Sequence, residues 1–130
     1  QIEPLFYSAF GSHLRRFTDR PWLHLQVTES DLWNTVQAYQ DPVKADEADL
    51  ALDDLGLEKY KRYIFDEYKV LNKLTADELV DLVEQAGFQI VREQRRHFEP
   101  EGDIPEALLQ QYPQELLTNN EIFLLMQRPA

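Results

Sequence analysis

The chain has 130 residues, the length of a single domain, with a hydrophobic fraction of 43% and a formal net charge of -11. That charge argues against a sequence-independent nucleic-acid binder and against binding to an anionic membrane surface, because both partners require clustered Lys and Arg. The chain contains no cysteine, which excludes disulfide frameworks, thiolate zinc sites and cysteine nucleophiles.

The sequence favours a cytoplasmic protein that does not enter a membrane. Its longest apolar run, Ile122–Met126, is far too short to span a bilayer, and no secretory signal is visible. Gln1 is not a methionine, and Ile2 already lies in an apolar run. We therefore interpret the chain as a fragment of a longer protein.

The N-terminal part predicts a short strand followed by an aromatic loop. The strand within Gln1–Phe10 ends near Pro4, because proline cannot keep donating hydrogen bonds to a sheet. Residues 7–18 predict a loop and residues 19–21 a turn. The aromatic segment 21–25 then follows, and we expect it to pack against the fold.

Three helices are predicted next. Thr28 is a typical N-cap residue for the first helix, with Asp31 at the third helical position. Asp46–Leu55 predicts the second helix, and Gly56 stands just past its end. Apolar residues at helical spacing from Leu57 onward predict the third, which extends to residue 71.

The stretch 74–91 predicts one helix, one glycine stop and one strand. Thr75 and Glu78 have the spacing of a capping box, and Gly87 suits the left-handed conformation that ends a helix. A run that favours β-structure begins at Phe88. We expect five apolar side chains of this stretch to be almost fully buried: Leu79, Leu82, Val83, Phe88 and Ile90.

The C-terminal part predicts a short helix and a last strand. Pro105 suits the first turn of the short helix, and Pro113 interrupts it. Glu121–Arg128 is apolar at consecutive positions, which predicts a strand buried on both faces. We expect this strand to pair antiparallel with the strand Phe88–Arg95.

Motifs that would identify a reaction are scarce. The four glycines form no G-x-G pattern, so no glycine-rich phosphate loop is present. The acidic stretch Asp46–Asp54 lacks the central glycine and the distal glutamate of an EF-hand loop. His13 and His24 lie in one loop region beside Glu3, which would suit metal binding or proton transfer. A structural, hydrogen-bonded role for both histidines stays open.

The order of these segments resembles the C-terminal half of the class I S-adenosylmethionine-dependent methyltransferases. The resemblance runs from the presumed fifth strand at Gln1–Glu3 to Pro129, and it rests on five segments: YSAFGSHL at 7–14, PWLHL at 21–25, LNKLT at 71–75, AGFQIVRE at 86–93 and NEIFLLMQRP at 120–129. In that family a helix ending in A-G-F leads into the sixth strand.

The resemblance implies an α/β fold, the C-terminal part of a Rossmann-like sheet. In the isolated chain this corresponds to an α+β arrangement over residues 1–130, with helices on a small sheet. The seventh strand of the family inserts antiparallel between the fifth and the sixth. The loops after its fourth and fifth strands shape the substrate pocket, which implies substrate-facing roles for Tyr7, His13, Trp22 and His24.

The family's cofactor half has no counterpart in this sequence. The glycine loop after a first strand and the acid after a second strand, which bind S-adenosylmethionine, are both missing. We therefore expect the cofactor in the intact protein and none on this chain alone. The expected partner is a methyl acceptor, and an exposed sheet edge would allow self-association. The alternative is a non-catalytic, acidic α+β interaction domain.

Overall fold

A computed structural model describes residues 1–40 and 51–130 of the protein. Residues 46–50, with which the acidic stretch Asp46–Asp54 and the predicted helix Asp46–Leu55 both begin, lie outside these residues. The chain divides into two compact units. Unit 1 contains Gln1–Gly11 and Asn72–Ala130, and unit 2 contains Ser12–Leu71. The prediction of one domain over residues 1–130 stays a prediction.

Unit 2 is helical. Its helices are α1 (Leu23–Gln26), α2 (Glu29–Ala38) and α3 (Ala51–Lys69). The hydroxyl of Thr28 accepts a hydrogen bond from the amide of Asp31 at 3.1 Å, which confirms the predicted cap. Gly56 has a φ of 72° and a ψ of 162°, so two helical segments meet at a kink inside α3.

The core of unit 2 forms where the apolar stripes of its helices meet residues of the preceding loop. The buried residues of this core are Leu14, Phe17, Leu23, Leu32, Val36, Tyr60 and Phe65. Two edge-to-face ring pairs belong to this core, since the ring centroid of Phe17 lies 5.5 Å from that of Tyr39 and 6.0 Å from that of Tyr60. Such edge-to-face pairs stabilise a core beyond the area that they bury.

Unit 1 contains helix α4 (Ala76–Gln85), whose ends follow the local sequence. The amide of Glu78 donates to the Thr75 hydroxyl at 3.2 Å, and the Glu78 carboxylate accepts from the Thr75 amide at 2.7 Å. This reciprocal pair is the predicted capping box. Gly87 has a φ of 87°, so the predicted glycine stop is also confirmed.

Two strands of unit 1 form an antiparallel sheet. They are β1 (Gln89–His97) and β2 (Asn119–Gln127), and their antiparallel pairing confirms the prediction. Between them lie α5 (Glu106–Gln111) and α6 (Gln114–Thr118). On the far edge of β2, Ile2 and Ile122 exchange both backbone hydrogen bonds, at 3.0 and 3.1 Å. The mixed helix–strand composition agrees with an α+β fold.

Helix α4 packs on one face of this sheet. Its side chains Ala76 and Leu79 form a buried cluster with Ile122 and Leu5. On the same face, Arg95 forms an ion pair with Asp77 of α4 at 2.7 Å. The first turns of α4 and the middle of the sheet are therefore held by both apolar and ionic contacts.

The predicted burial of the helix–strand stretch is wrong for most of its residues. Leu79 is buried, but 47% of Leu82 is exposed, and Val83, Phe88 and Ile90 are half-buried. Apolar residues occupy a broad arc of α4, and the part of that arc that meets the sheet is centred nearer Ala76 than Leu82.

The prediction that the last strand is buried on both faces is also wrong. The face of β2 that α4 covers carries buried Ile122 and half-buried Leu124, whereas Phe123 and Leu125 on the other face are exposed. Alternating side chains along a strand produce this pattern when one face is covered. None of the helices in the described ranges combines the length and the apolar character that crossing a bilayer requires.

Candidate functional site

The four residues expected to face a substrate are divided between the two units. Tyr7 belongs to unit 1, and His13, Trp22 and His24 belong to unit 2. His13 is exposed and has a left-handed φ of 60°. Trp22 and His24 are buried, and Trp22 precedes α1 with a φ of 55°. Their substrate-facing role stays a prediction.

Tyr7 stands among aromatic and acidic neighbours of unit 1. Its ring lies 5.2 Å from that of Phe6, nearly perpendicular to it, and 5.5 Å from that of Tyr112. Burial raises the pKa of the Tyr7 phenol, and the nearby charges of Tyr112 and Glu78 raise it further. These effects favour the neutral form of the phenol.

A cleft opens at the N-terminal end of α4, the end of the helix that carries Glu78. Its volume is about 340 Å³, which suits a small ligand. We call it the α4 cleft, and eight residues of unit 1 line it: Thr75, Ala76, Asp77, Arg95, Pro113, Glu115, Leu116 and Asn119.

Arg95 carries the positive charge of the α4 cleft, and two carboxylates neutralise it. Its guanidinium lies 2.7 Å from Asp77 and 2.5 Å from Glu93. Burial alone would lower the pKa of Arg95, but the hydrogen bonds to Asp77 and Glu93 outweigh this effect, and the pKa is raised. Arg95 is therefore a fixed, paired cation.

Asn119 lines the α4 cleft, and its unsatisfied side-chain oxygen is fully buried. The residue is only 5% exposed, and its Oδ1 atom has no hydrogen-bond partner among the residues that the structure describes. The pairing register shifts between Arg96 and His97, opposite Asn119 and Glu121, so β2 contains an irregularity at this point. Bulges of this kind redirect a side chain, and here Asn119 shares a cleft with Arg95 rather than the face of Glu121.

The first turn of α4 contributes backbone donors. The first amides of any helix lack partners within the helix. The capping box satisfies those of Thr75 and Glu78, while the amides of Ala76 and Asp77 belong to the turn that lines the cleft. The lining of the α4 cleft thus combines the first turn of the helix with a neutralised guanidinium.

This arrangement is suited to binding a polar group. Within the two described ranges, no cluster of three or more His, Cys, Asp or Glu residues could hold a metal ion. Of the four residues expected from the sequence, Tyr7 belongs to the unit that contains the cleft, and it interacts with Glu78 in the first turn of α4. Sequence reasoning missed Asn119 and Arg95. Asn119-Asn120 predicted a turn, and nothing local indicated that the first asparagine would be buried.

Comparisons of the chain with protein-family models, with curated proteins and with solved structures gave no match.

Proposed function

We propose that this chain is the C-terminal, substrate-side portion of a class I S-adenosylmethionine-dependent methyltransferase. The observation that carries the proposal is the backbone pairing of Ile2 with Ile122. Strand β2 has β1 on one side and the N-terminal segment on the other, and it is antiparallel to both. The resemblance implies this order and these directions for the fifth, seventh and sixth strands.

Helix α4 supports the same proposal. It precedes β1 directly, ends at the predicted glycine stop and packs on the sheet through Ala76 and Leu79. A strand, a helix and a second strand parallel to the first form the repeating unit of doubly wound α/β folds. In the proposal the N-terminal segment, which pairs with β2 through the isolated bridge at Ile2, corresponds to the first strand, and α4 and β1 follow it, with unit 2 lying between the first two in the sequence.

The residues of this chain do not fit S-adenosylmethionine by themselves. The glycines that have positive φ occur at the kink of α3, after α4 and at Gly102, and none of them follows a strand and opens a helix. A side chain at Gly11 would meet the carbonyl oxygens of Leu5 and Phe6, so this glycine serves a tight turn. The proposal therefore assigns the cofactor to another part of the intact protein.

The proposal includes a methyl acceptor as partner and a cytoplasmic setting. It includes no contact with nucleic acid or membrane, because the net charge of -11 opposes both.

The proposed self-association uses the edge of β2 that Ile2 occupies. Beyond Ile122, the main-chain groups on this edge can pair with a strand of another chain. Sedimentation of the chain at increasing concentration would detect it.

The function is tested by methyl-transfer measurements on the complete encoded polypeptide. His13→Ala and His24→Ala are expected to lower turnover while far-ultraviolet circular dichroism stays unchanged, because the proposal places both imidazoles toward the acceptor. His97→Ala is the matched control, since the His97 ring bonds to Thr118 at the end of β1. Turnover equal to wild type in both test variants would assign His13 and His24 to structure alone.

The alternative is a non-catalytic interaction domain. The observation that favours it is the uncovered face of the sheet, where Phe123 and Leu125 are 39% and 50% exposed. Exposed apolar patches are typical of surfaces that bind other proteins. The encoding reading frame discriminates the two functions. A G-x-G loop roughly a hundred residues before Gln1 would support the methyltransferase, given the usual spacing of βα units.

A further inference from the structure

We propose that the open edge of strand β1 binds an extended, acidic segment of a partner protein, which adds to the sheet as a further strand. Two carboxylates of that segment pair with Arg92 and Arg96 on the uncovered face of the sheet. The proposal does not depend on the methyltransferase proposal, and each of the two can fail without the other.

The open edge of β1 provides the first reason. Within the residues that the structure describes, β1 pairs with β2 alone, and the bridge at Ile2 lies on the far side of β2. Seven of the nine residues of β1 are exposed, and only Ile90 and Arg95 are half-buried. Alternate amide and carbonyl groups of an edge strand have no partner in the sheet, so they can pair with an added strand.

The stretch from Arg92 to Arg96 is regular enough to accept a strand. The register between β1 and β2 shifts between Ile90 and Arg92 and again between Arg96 and His97, so both irregularities lie outside this stretch. A bulge interrupts the row of main-chain groups that a further strand requires. Residues 92–96 are therefore the part of the edge that the segment pairs with.

The charges of β1 provide the second reason. Arg92 has no ion pair or hydrogen bond within the described ranges. The side chain of Arg96 is 68% exposed and contacts buried Glu121 through Nε alone, at 3.4 Å. Arg95, on the opposite face, is already paired with two carboxylates. Two exposed arginines on one face favour an acidic strand and disfavour a second copy of β1, which carries the same charges.

The spacing of the two arginines selects an extended segment over a helix. Arg92, Gln94 and Arg96 line one hollow of about 280 Å³ with Phe123, so they share the uncovered face. Residues four positions apart in a strand are separated by about 13 Å. Acids four positions apart on a helix are separated by only about 6 Å. An extended segment with the pattern acid-x-x-x-acid therefore places one carboxylate beside each arginine.

The probe is the peptide acetyl-Thr-Glu-Val-Thr-Val-Glu-Thr-amide, titrated into the isotope-labelled 130-residue chain at neutral pH. Its sequence is the same in both directions, so it can pair parallel or antiparallel to β1. We expect saturable amide chemical shifts at residues 92–96. Hydrogen exchange should slow at those amides of this range that do not donate to β2.

Three control peptides separate main-chain pairing from charge. The first has Gln in place of both Glu and should bind more weakly by about fivefold or more, because it loses two ion pairs. The second exchanges the last Glu with the Val before it, so that the carboxylates point to opposite faces, and should bind about two- to fivefold more weakly. The third is N-methylated at two adjacent central residues and should not bind, because neither of its edges can pair.

Two variants test the assigned arginines. Arg92→Gln and Arg96→Gln should each weaken binding of the Glu peptide about two- to fivefold and leave binding of the Gln peptide unchanged. Arg20→Gln removes an exposed arginine of unit 2 and is the matched control, with unchanged affinity. If Arg96→Gln fails to fold because Glu121 loses its partner, Arg92→Gln against Arg20→Gln decides.

Four results would overturn the proposal. The first is no saturable shift at residues 92–96 with the Glu peptide. The second is equal binding of the N-methylated peptide, which would mean that no strand is added. The third is equal binding of the Gln peptide, or unchanged affinity in both arginine variants, which would remove the role of charge. The fourth is a shift at residues 92–96 that depends on protein concentration without peptide, which would make a second copy the occupant.

Discussion

At the scale of single residues, Tyr7 shows how the fold changes the chemistry of a side chain. It is half-buried, in ring contact with Phe6 and Tyr112, and its phenol has a raised pKa because of burial and the charges of Tyr112 and Glu78. A raised pKa means that the folded state keeps the proton at a pH where the unfolded chain has lost it. The contribution of the Tyr7 phenol to the free energy of unfolding is therefore complete below about pH 10, the ordinary pKa of tyrosine. It is lost as the pH rises through the pKa that Tyr7 has in the folded state.

We expect Tyr7→Phe to reduce the loss of stability in alkali. The free energy of unfolding, measured by urea denaturation at a series of pH values, should fall less steeply above about pH 10 in the variant, because phenylalanine has no proton to lose. Tyr68→Phe is a useful comparison, since burial also raises the pKa of Tyr68 in unit 2, with a further contribution from Glu29. The same steepness in wild type and Tyr7→Phe would show that the Tyr7 phenol is not held neutral.

At the scale of elements, α4 shows that the local sequence determines where a helix begins and ends, whereas packing determines which of its faces is buried. Its capping box and glycine stop depend on residues within a few positions of each other, and the sequence predicts both correctly. The face of α4 that is buried depends on Ile122, far away in the chain, and the sequence-based choice of Leu82 is wrong. The irregularity that buries Asn119 likewise arises from strand pairing, so no local pattern could reveal this site residue.

The orientation of α4 can be tested with one substitution at two positions. Leu79→Ala should lower the free energy of unfolding by about 2–5 kcal/mol, because it opens a cavity against Ile122. Leu82→Ala is the matched control on the exposed side and should cost less than about 1 kcal/mol. Both losses are measured by urea denaturation. A larger loss for Leu82→Ala than for Leu79→Ala would place the opposite face of the helix on the sheet.

The capping box supports a second prediction for α4. Thr75→Ala should cost about 1 kcal/mol and increase hydrogen exchange at the first-turn amides, because the Glu78 amide loses its acceptor. Thr35→Ala is the matched control, since the Thr35 hydroxyl donates to the Asp31 carbonyl inside α2 and caps nothing. Equal unfolding free energies for the two variants would remove the stabilising role of the cap.

At the scale of the whole molecule, the sequence predicts the element order and the antiparallel strand pair, and the structure adds the position of β2 between β1 and the N-terminal segment. Strand pairing is a long-range property, so the bridge between Ile2 and Ile122 could be expected only from the family resemblance. The division into two units was not predicted, because no linker composition marks residues 11–12 or 71–72. The substrate site that we predicted from the aromatic loop grouped Tyr7 of unit 1 with three residues of unit 2, which are His13, Trp22 and His24.

The most direct test of the methyltransferase proposal is a calorimetric titration of S-adenosylmethionine into two samples, the complete encoded polypeptide and the 130-residue chain. The proposal predicts saturable binding to the complete polypeptide and no measurable binding to the chain, because a glycine turn before a helix and an acid for the ribose are both required. Absence of binding to the complete polypeptide would contradict it. Micromolar binding to the chain alone would equally contradict it, since the cofactor site would then lie within these residues.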